Sequence, residues 1–337
     1  MTSPFSELVE LNIERRRILV KFSVVIPLYN KEPHVKRALK SVISQTIQDF
    51  EIVVVNDGST DKSADIVKSF SDARIRLINQ KNAGVSAARN RGINETKSEL
   101  IAFLDADDEW MPDYLETILR LREKYPEAGL YATSLKTEFI DNVLIDKDEK
   151  LRELIPDEGL ILNYFKVNLK DISHKDIFYT SSVTVPKKIF LEIGGFQTGF
   201  WWGEDIDMWG RIALKYSVAY SSKVCAIYYQ NVVNSAAYRK KPVKGHPLLK
   251  TGEEALKLGK VPHYMKKDLE EYMKFVEMCT AKHNVEAGDR NLAFNLLTRN
   301  DFNLAYKKIL LNTILSTILE NNFPAVSQSV CQFVFKK

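Results

Sequence analysis

Short, continuously apolar runs alternate along the first two-thirds of the chain with stretches whose apolar residues recur every three or four positions. Phe22-Ser23-Val24-Val25-Ile26-Pro27, Glu51-Ile52-Val53-Val54-Val55 and Leu100-Ile101-Ala102-Phe103-Leu104 read as strands buried on both faces, with further strands at 74–78 and 129–134. After the first run, Lys31-Glu32-Pro33 is expected to open a helix with proline in its first turn. Val35, Leu39, Val42 and Ile43 then give that helix one apolar face. Helices are also expected at 64–70, 85–94 and 113–124. Strand and helix alternating at this pace imply βαβ units, a mainly parallel sheet and right-handed crossovers.

The pattern weakens between 135 and 168, read as a variable connection with helix after Pro156. It returns as a strand at 177–185, a helix at 187–193, a helix running from Trp201-Trp202-Gly203-Glu204-Asp205 to about residue 216, and a last strand at 224–229. Beyond Tyr238, Pro242, Gly245 and Pro247 mark a linker, and helical spacing dominates to the end. Residues 288–297 and 300–309 look alike at a twelve-residue offset and are read as successive short helices, too few for a solenoid. The expected organisation is a lead-in at 1–21, an α/β domain at 22–238 with halves 22–134 and 135–238, and a helical region at 239–337.

Composition changes this picture little. A length of 337 residues with 45% hydrophobic content allows a substantial core. The net charge of +4 is unevenly placed: residues 239–337 hold 17 Lys and Arg against 10 Asp and Glu, the rest 31 against 34. The basic tail reads as a solvated helix face or as a surface for an anionic partner such as a membrane. Cys225, Cys279 and Cys331 are too scattered for a disulfide framework or a metal knuckle and fit a reducing compartment. Glu7, Glu10 and Glu14 precede Arg15-Arg16-Arg17, the reverse of a secretory signal, and the apolar stretch 309–319 is too short to span a bilayer. The expectation is a cytoplasmic protein, soluble or peripheral at the inner face of a membrane, with no nucleic-acid partner.

The candidate chemistry begins where the run at 100–104 stops in Asp105-Ala106-Asp107-Asp108. A central strand accommodates charge where it leaves the sheet, so these carboxylates are expected at a strand's carboxyl end. Ligands bind at that edge in open α/β sheets, and hard oxygen donors there suit Mg²⁺ or Mn²⁺ shared with a substrate phosphate. The alternative is an acidic loop that caps the next helix.

Five segments in this order resemble the family-2 glycosyltransferases, inverting enzymes of the GT-A fold. They are Val24-Val25-Ile26-Pro27-Leu28-Tyr29-Asn30; Val55-Asn56-Asp57-Gly58-Ser59-Thr60-Asp61; Asn82-Ala83-Gly84-Val85-Ser86-Ala87-Ala88-Arg89-Asn90; Leu104-Asp105-Ala106-Asp107-Asp108; and Gly203-Glu204-Asp205 with Trp209 and Arg211. The resemblance covers about residues 22–236. It implies a Rossmann-like α/β fold, with a mainly parallel central sheet flanked by helices and an α-helical C-terminal extension. The activity it implies is metal-dependent transfer of a sugar from a nucleoside-diphosphate sugar to a hydroxyl of a glycan or lipid-linked glycan, in polysaccharide, lipopolysaccharide or other glycan assembly.

Residue by residue, the resemblance makes Asp57 a contact of the nucleotide base, walled by Pro27, Tyr29 and Asn30. Arg89 reaches a phosphate or the nucleotide-binding loop, while Gly84 and Ala87-Ala88 allow close packing beside the donor. Asp107 is the direct ligand of a divalent cation, Mn²⁺ or Mg²⁺, with Asp105 on the ribose or a metal-bound water. Asp108 is a third member of the cluster or a cap for the next helix. Asp205 of the Glu204-Asp205 pair takes the position of the base, and a helix N-terminus is expected to keep it ionised. Of Trp201 and Trp202, one is expected to stack on a sugar and one to pack. Asp57 could equally form an Asx turn, Arg89 lie on a helix surface, and Glu204-Asp205 cap a helix.

One position departs from the family pattern. Many members carry a basic residue after the last strand, where this chain has Gln230, followed by Asn234-Ser235. Gln donates hydrogen bonds but brings no charge to a diphosphate; Arg239-Lys240-Lys241 or His246 are candidate substitutes. A sugar nucleotidyltransferase is disfavoured, because Leu28-Tyr29-Asn30-Lys31 is unlike the glycine-rich loop such enzymes need. The other alternative is a catalytically impaired nucleotide-sugar-binding or scaffold protein. The basic tail is read as a membrane contact, a self-association surface or a brace.

Overall fold

The computed structural model describes residues 21–138, 144–146, 153–169, 178–230 and 241–322. The chain divides into two compact units, Met1–Ala237 and Tyr238–Lys337.

In the first unit, β1 (Phe22–Leu28), α1 (Val35–Ile43), β2 (Phe50–Asp57), α2 (Ser63–Lys68), β3 (Ile75–Gln80), α3 (Val85–Glu95) and β4 (Leu100–Phe103) alternate regularly. Val24, Val25 and Ile26 of β1 and Ile52 to Val55 of β2 are fully buried, each contributing about 1.5–3 kcal/mol of apolar burial. Glu51, a buried carboxylate at the start of β2, accepts from Ser23 Oγ at 2.7 Å and from the Lys97 amide at 2.7 Å. α3 lies close against the sheet at Gly92, where an added Cβ would come within 2.3 Å of Val25 Cγ1. Gly84 is different: nothing lies within 4 Å of its missing Cβ, and what requires glycine there is φ +90 at the start of α3. The close-packing role expected of Gly84 therefore belongs to Gly92.

The chain continues through β5 (Glu109–Trp110), α4 (Tyr114–Lys124), β6 (Leu130–Glu138), β7 (Leu144–Asp146), β8 (Glu158–Ile161), α5 (Tyr164–Asn168), β9 (Val183–Pro186), α6 (Lys187–Ile193), α7 (Glu204–Ala213) and β10 (Val218–Tyr229). The sheet order is β3-β2-β1-β4-β9-β6-β10-β5, with β7 on β6 and β8 on β10. Pairing is parallel through β3-β2-β1-β4, as the βαβ reading requires, and between β6 and β10. β9 enters antiparallel between β4 and β6, so β6 and β10 again point the same way as β4. Six strands thus present their carboxyl ends, and β9 its amino end, at one edge.

Several expectations change. Residues 32–34 are a turn that precedes α1, so Pro33 stands before the helix. The run expected as one strand at 177–185 is a 3-10 turn, Thr180–Ser182, before a strand that begins at Val183; Ile177 lies outside the described residues. The weak region holds strands as well, the end of β6, β7 and β8, while helix after Pro156, as expected, runs from Tyr164. β10 begins six residues earlier than its apolar run suggests, and its register shifts between Ser221 and Ala226 interrupt the alternation.

The second unit contains α8 (Pro247–Lys257), a 3-10 turn (His263–Met265), α9 (Lys266–Glu286), α10 (Asn291–Thr298) and α11 (Leu304–Asn322). Pro247 is the first residue of α8 rather than linker, and the Leu248 amide donates to Nδ1 of the capping His246 at 3.2 Å. The second of the paired segments extends into a 19-residue helix. No helix among the described residues is long and apolar enough to cross a membrane.

Candidate active site

The strand edge gathers residues far apart in sequence. Asp57 is the last residue of β2 and 3% exposed. Its Oδ1 accepts from Gln80 Nε2 at 2.8 Å and the Ala83 amide at 2.9 Å, its Oδ2 from the Gly84 amide at 2.9 Å. It therefore shapes the turn into α3, and a carboxylate has lone pairs beyond these three for one more donor. Asn30, with φ 51, ties the loop after β1 to the loop after β2: its Oδ1 accepts from the Thr60 amide at 2.8 Å and its own amide donates to Ser59 Oγ at 3.1 Å. Tyr29 beside it is exposed at 39% and Pro27 is half-buried, leaving the tyrosine face accessible.

Arg89 is buried and lies between the two acidic clusters. Its Nη2 donates to Asp105 Oδ1 at 3.0 Å and its Nη1 to Glu204 Oε1 at 2.9 Å. Burial works against the guanidinium charge, but Asp105 and Glu204 together hold it firmly protonated. Arg89 thus reaches the 105–108 loop and the start of α7, and not the helix surface.

In the 105–108 loop each carboxylate has different company. Asp107 Oδ2 accepts from Lys31 Nζ at 2.6 Å, and the Asp107 carbonyl accepts from Arg37 Nη2 at 2.5 Å. Asp105 is held by Arg89, with its amide on Ser181 Oγ at 3.1 Å. Asp108 is buried, and its carboxyl accepts from Ser181 Oγ at 2.5 Å and the Tyr229 amide at 3.2 Å. Burial, then the neighbouring Asp107 and Asp105, pushes Asp108 well above the usual carboxylate range. It braces the loop against β10 and the 180–182 turn, and does not cap α4.

Glu204 and Asp205 occupy the first turn of α7 after Gly203, whose φ of 75 suits glycine. Asp205 Oδ2 accepts from Thr180 Oγ1 at 3.4 Å and Oδ1 from the Ile206 amide at 2.9 Å. Burial raises Asp205 above its ordinary value; Arg89 opposes the shift and Asp105 adds to it. Burial and then Asp205 push Glu204 up to about 7, against the pull of Arg89. The helix terminus does not keep this pair at ordinary acidity, because loss of water outweighs it. Trp201 and Trp202 precede them, both half-buried and edge to face at 6.1 Å. Trp209 is core and Arg211 braces the chain before α7 through Asp207, the Ile193 carbonyl and the Gly195 carbonyl.

Sequence reasoning missed Thr180 and Ser181, hidden in a run read as strand, although a Thr-Ser-Ser trio inside such a run is a signal. It also missed Lys31 and Arg37, which face the loop from the turn before α1 and from α1. Of the substitutes for a charge at 230, Arg239 and Lys240 lie outside the described residues. His246 is neutral, burial pulling its ring down to about 3, and is committed to capping α8.

For a divalent cation, no group of three or more His, Cys, Asp or Glu forms a cage among the described residues. Asp107 and Asp105 are nonetheless hard donors with accessible oxygen, 16% and 31% exposed, and Asp107 already binds a positive charge in Lys31. This donor set fits a cation that takes its other ligands from water and substrate phosphate.

Residues 23–183 match the family model described as Glycosyl transferase family 2. Glycosyltransferase GlyA of Streptococcus pneumoniae is 48% identical over 107 residues, 31% of this chain and 15% of that protein. The putative glycosyltransferase EpsH of Bacillus subtilis is 33% identical over 172 residues, 50% of this chain and 49% of that protein. The chain thus spans half or less of these relatives' length. Among solved structures, S. aureus TarS 1–349 in complex with UDP-GlcNAc superposes with a TM-score of 0.55 over 90% of this chain and 74% of that one, at 16% identity. Its complex with UDP gives 0.52 over 90% and 73%, at 17% identity. These likenesses carry the fold, which is GT-A. Residues 23–183 of this chain thus form a domain similar to those of the family-2 glycosyltransferases.

Proposed function

We propose that the chain transfers a sugar from a nucleoside-diphosphate sugar to a hydroxyl acceptor with inversion at the anomeric carbon, as a step of glycan assembly. The observation that carries this reading is the continuous link Asp105–Arg89–Glu204, which brings the 105–108 loop and Asp205 to one strand edge. Asp57 receives a donor group of the nucleotide base, with Tyr29 and Pro27 as the wall. Asp107 and Asp105 would hold a divalent cation, Mn²⁺ or Mg²⁺, which when bound would supply Lewis-acid stabilisation of the departing diphosphate.

Asp205 is the base. It takes the proton of the acceptor hydroxyl while that oxygen bonds to the anomeric carbon from the face opposite the diphosphate, whose bond to the same carbon breaks. A carboxyl raised above its ordinary pKa is a stronger base once ionised, and its retained bond to Thr180 Oγ1 orients it. Glu204, neutralising Arg89, positions rather than reacts. Trp201 and Trp202 offer an aromatic edge for the acceptor sugar. The UDP-GlcNAc and UDP in the TarS complexes support a uridine donor as the first to try.

The test is release of nucleoside diphosphate from a panel of nucleotide sugars by wild type and Asp205→Asn. We expect Asp205→Asn to lower turnover by about 10²–10⁴-fold while leaving nucleotide affinity unchanged. Nucleotide binding without turnover in the wild type, across donors and acceptors, favours the scaffold reading that Gln230 keeps in view. The basic helical unit is assigned to acceptor-side contact at a membrane surface or to self-association.

A further inference from the structure

The neutral Gln230 leaves the end of β10 without the charge expected for a diphosphate, yet the structure brings positive charge to the same place from another part of the chain. Lys31 in the turn before α1 and Arg37 in its first turns both face the 105–108 loop. The guanidinium carbon of Arg37 lies over the ring of Tyr229, 3.4 Å from its centroid, next to Gln230. It is fixed there by the Asp107 carbonyl at 2.5 Å and by the Glu109 carboxylate at 3.8 Å, while the Tyr229 hydroxyl donates to Glu109 at 2.7 Å. His34, between them, adds no charge, since burial and then Arg37 hold its ring below the usual histidine range.

Lys31 differs from Arg37 in carrying a compact point charge rather than a planar fork. Its main-chain amide is anchored on Ser63 Oγ at 2.8 Å, but its charge sits at the end of a flexible stem, on Asp107 at 2.6 Å, in a pair 13% and 16% exposed. That carboxylate is the one assigned to the cation. An ammonium and a divalent ion on the same carboxylate repel each other at contact distance, which weakens the hold of Asp107 on the ammonium once the cation binds.

We propose that Lys31 is a built-in counter-ion of Asp107 that gives this carboxylate up to the cation and takes the donor diphosphate instead, supplying with Arg37 the charge that Gln230 lacks. The inference rests on the donor-site reading above. It makes cation and nucleotide binding cooperative: the cation alone must displace an ion pair, whereas with a diphosphate present the displaced ammonium gains a new partner. Removing the ammonium should therefore act in opposite directions on the two ligands.

The experiment is calorimetric titration of Mn²⁺ alone, and of UDP, GDP, ADP and CDP at saturating Mn²⁺, into wild type, Lys31→Met and Lys31→Arg. For Lys31→Met we expect Mn²⁺ alone to bind several-fold tighter and the preferred nucleotide about tenfold or more weaker. Lys31→Arg, which keeps the charge and guards against a folding defect in the methionine variant, should retain nucleotide affinity within a few-fold. Weakening of both ligands together, or no change in either, overturns the exchange and assigns Lys31 a structural role. If the wild type binds no nucleoside diphosphate at all, the donor-site reading fails and this proposal falls with it. If the wild type binds and Lys31→Met binds equally well, only this proposal falls.

Discussion

The carboxylates at 105–108 and those at Glu204-Asp205 lie on the same strand edge, yet their surroundings suit them to opposite tasks. Asp107 is partly exposed and paired with the ammonium of Lys31. Glu204 is buried and Asp205 half-buried, and the charge beside them is the guanidinium of Arg89, fixed between Glu204 and Asp105. A carboxylate whose counter-ion can be exchanged makes a ligand. One that burial pushes up in pKa, beside a charge that cannot leave, makes a base whose proton affinity is tuned. The two clusters carry the same functional group, and what distinguishes them is the nearest cation, the single ammonium of Lys31 at Asp107 and the two-pronged guanidinium of Arg89 at Glu204.

Breaking the link between the clusters should give the largest effect on the protein itself. Arg89→Met leaves Glu204 buried without its guanidinium and is expected to cost about 3–5 kcal/mol of stability, read as the shift of a urea unfolding midpoint. Arg89→Lys keeps the charge but replaces the two-pronged contact by a single point, and a smaller loss is expected. Equal stability of wild type and Arg89→Met would dissolve the comparison, because it would mean that the link carries no energy.

A pH profile sharpens it. The folded-state pKa of Glu204 is raised from 4.5 to about 7, so the stability it contributes is fully present below about 4.5 and is lost as pH rises through about 7. Asp205 is raised in the same direction, so turnover that needs its ionised form should climb through the range above ordinary carboxylate values. In Arg89→Lys that rising limb should stay in place if charge alone sets it. It should move to higher pH if contact distance matters. A limb at about pH 4, as for an exposed carboxylate, would remove Asp205 from the role of base.

Much of this was legible in the residues because the decisive signals are local. An apolar run that stops in three acids marks a strand end wherever it occurs, and Asp57, Asp105 and Asp107 are at such ends. What the sequence does not carry is which distant residue meets them. Arg37 meets Tyr229 and Ser181 meets Asp108 only because β9 inserts antiparallel beside β4 and β10 returns next to β6. A buried run such as Val183–Pro186 has the same apolar character in either direction, so its orientation is set by the connection before it. The Thr180–Ser182 turn, read as strand, supplies contacts to both clusters for the same reason. Likewise, that Arg37 comes to stand over Tyr229, next to Gln230, is visible only across space.

The central claim is that the 105–108 loop holds a cation for a nucleotide. The most direct measurement is calorimetric binding of UDP and other nucleoside diphosphates, with and without Mn²⁺, to wild type and Asp107→Ala. The expected result is binding of one nucleotide that requires Mn²⁺ and is lost in Asp107→Ala, with the variant still folded. Nucleotide binding by folded Asp107→Ala equal to that of wild type, with or without Mn²⁺, would contradict it.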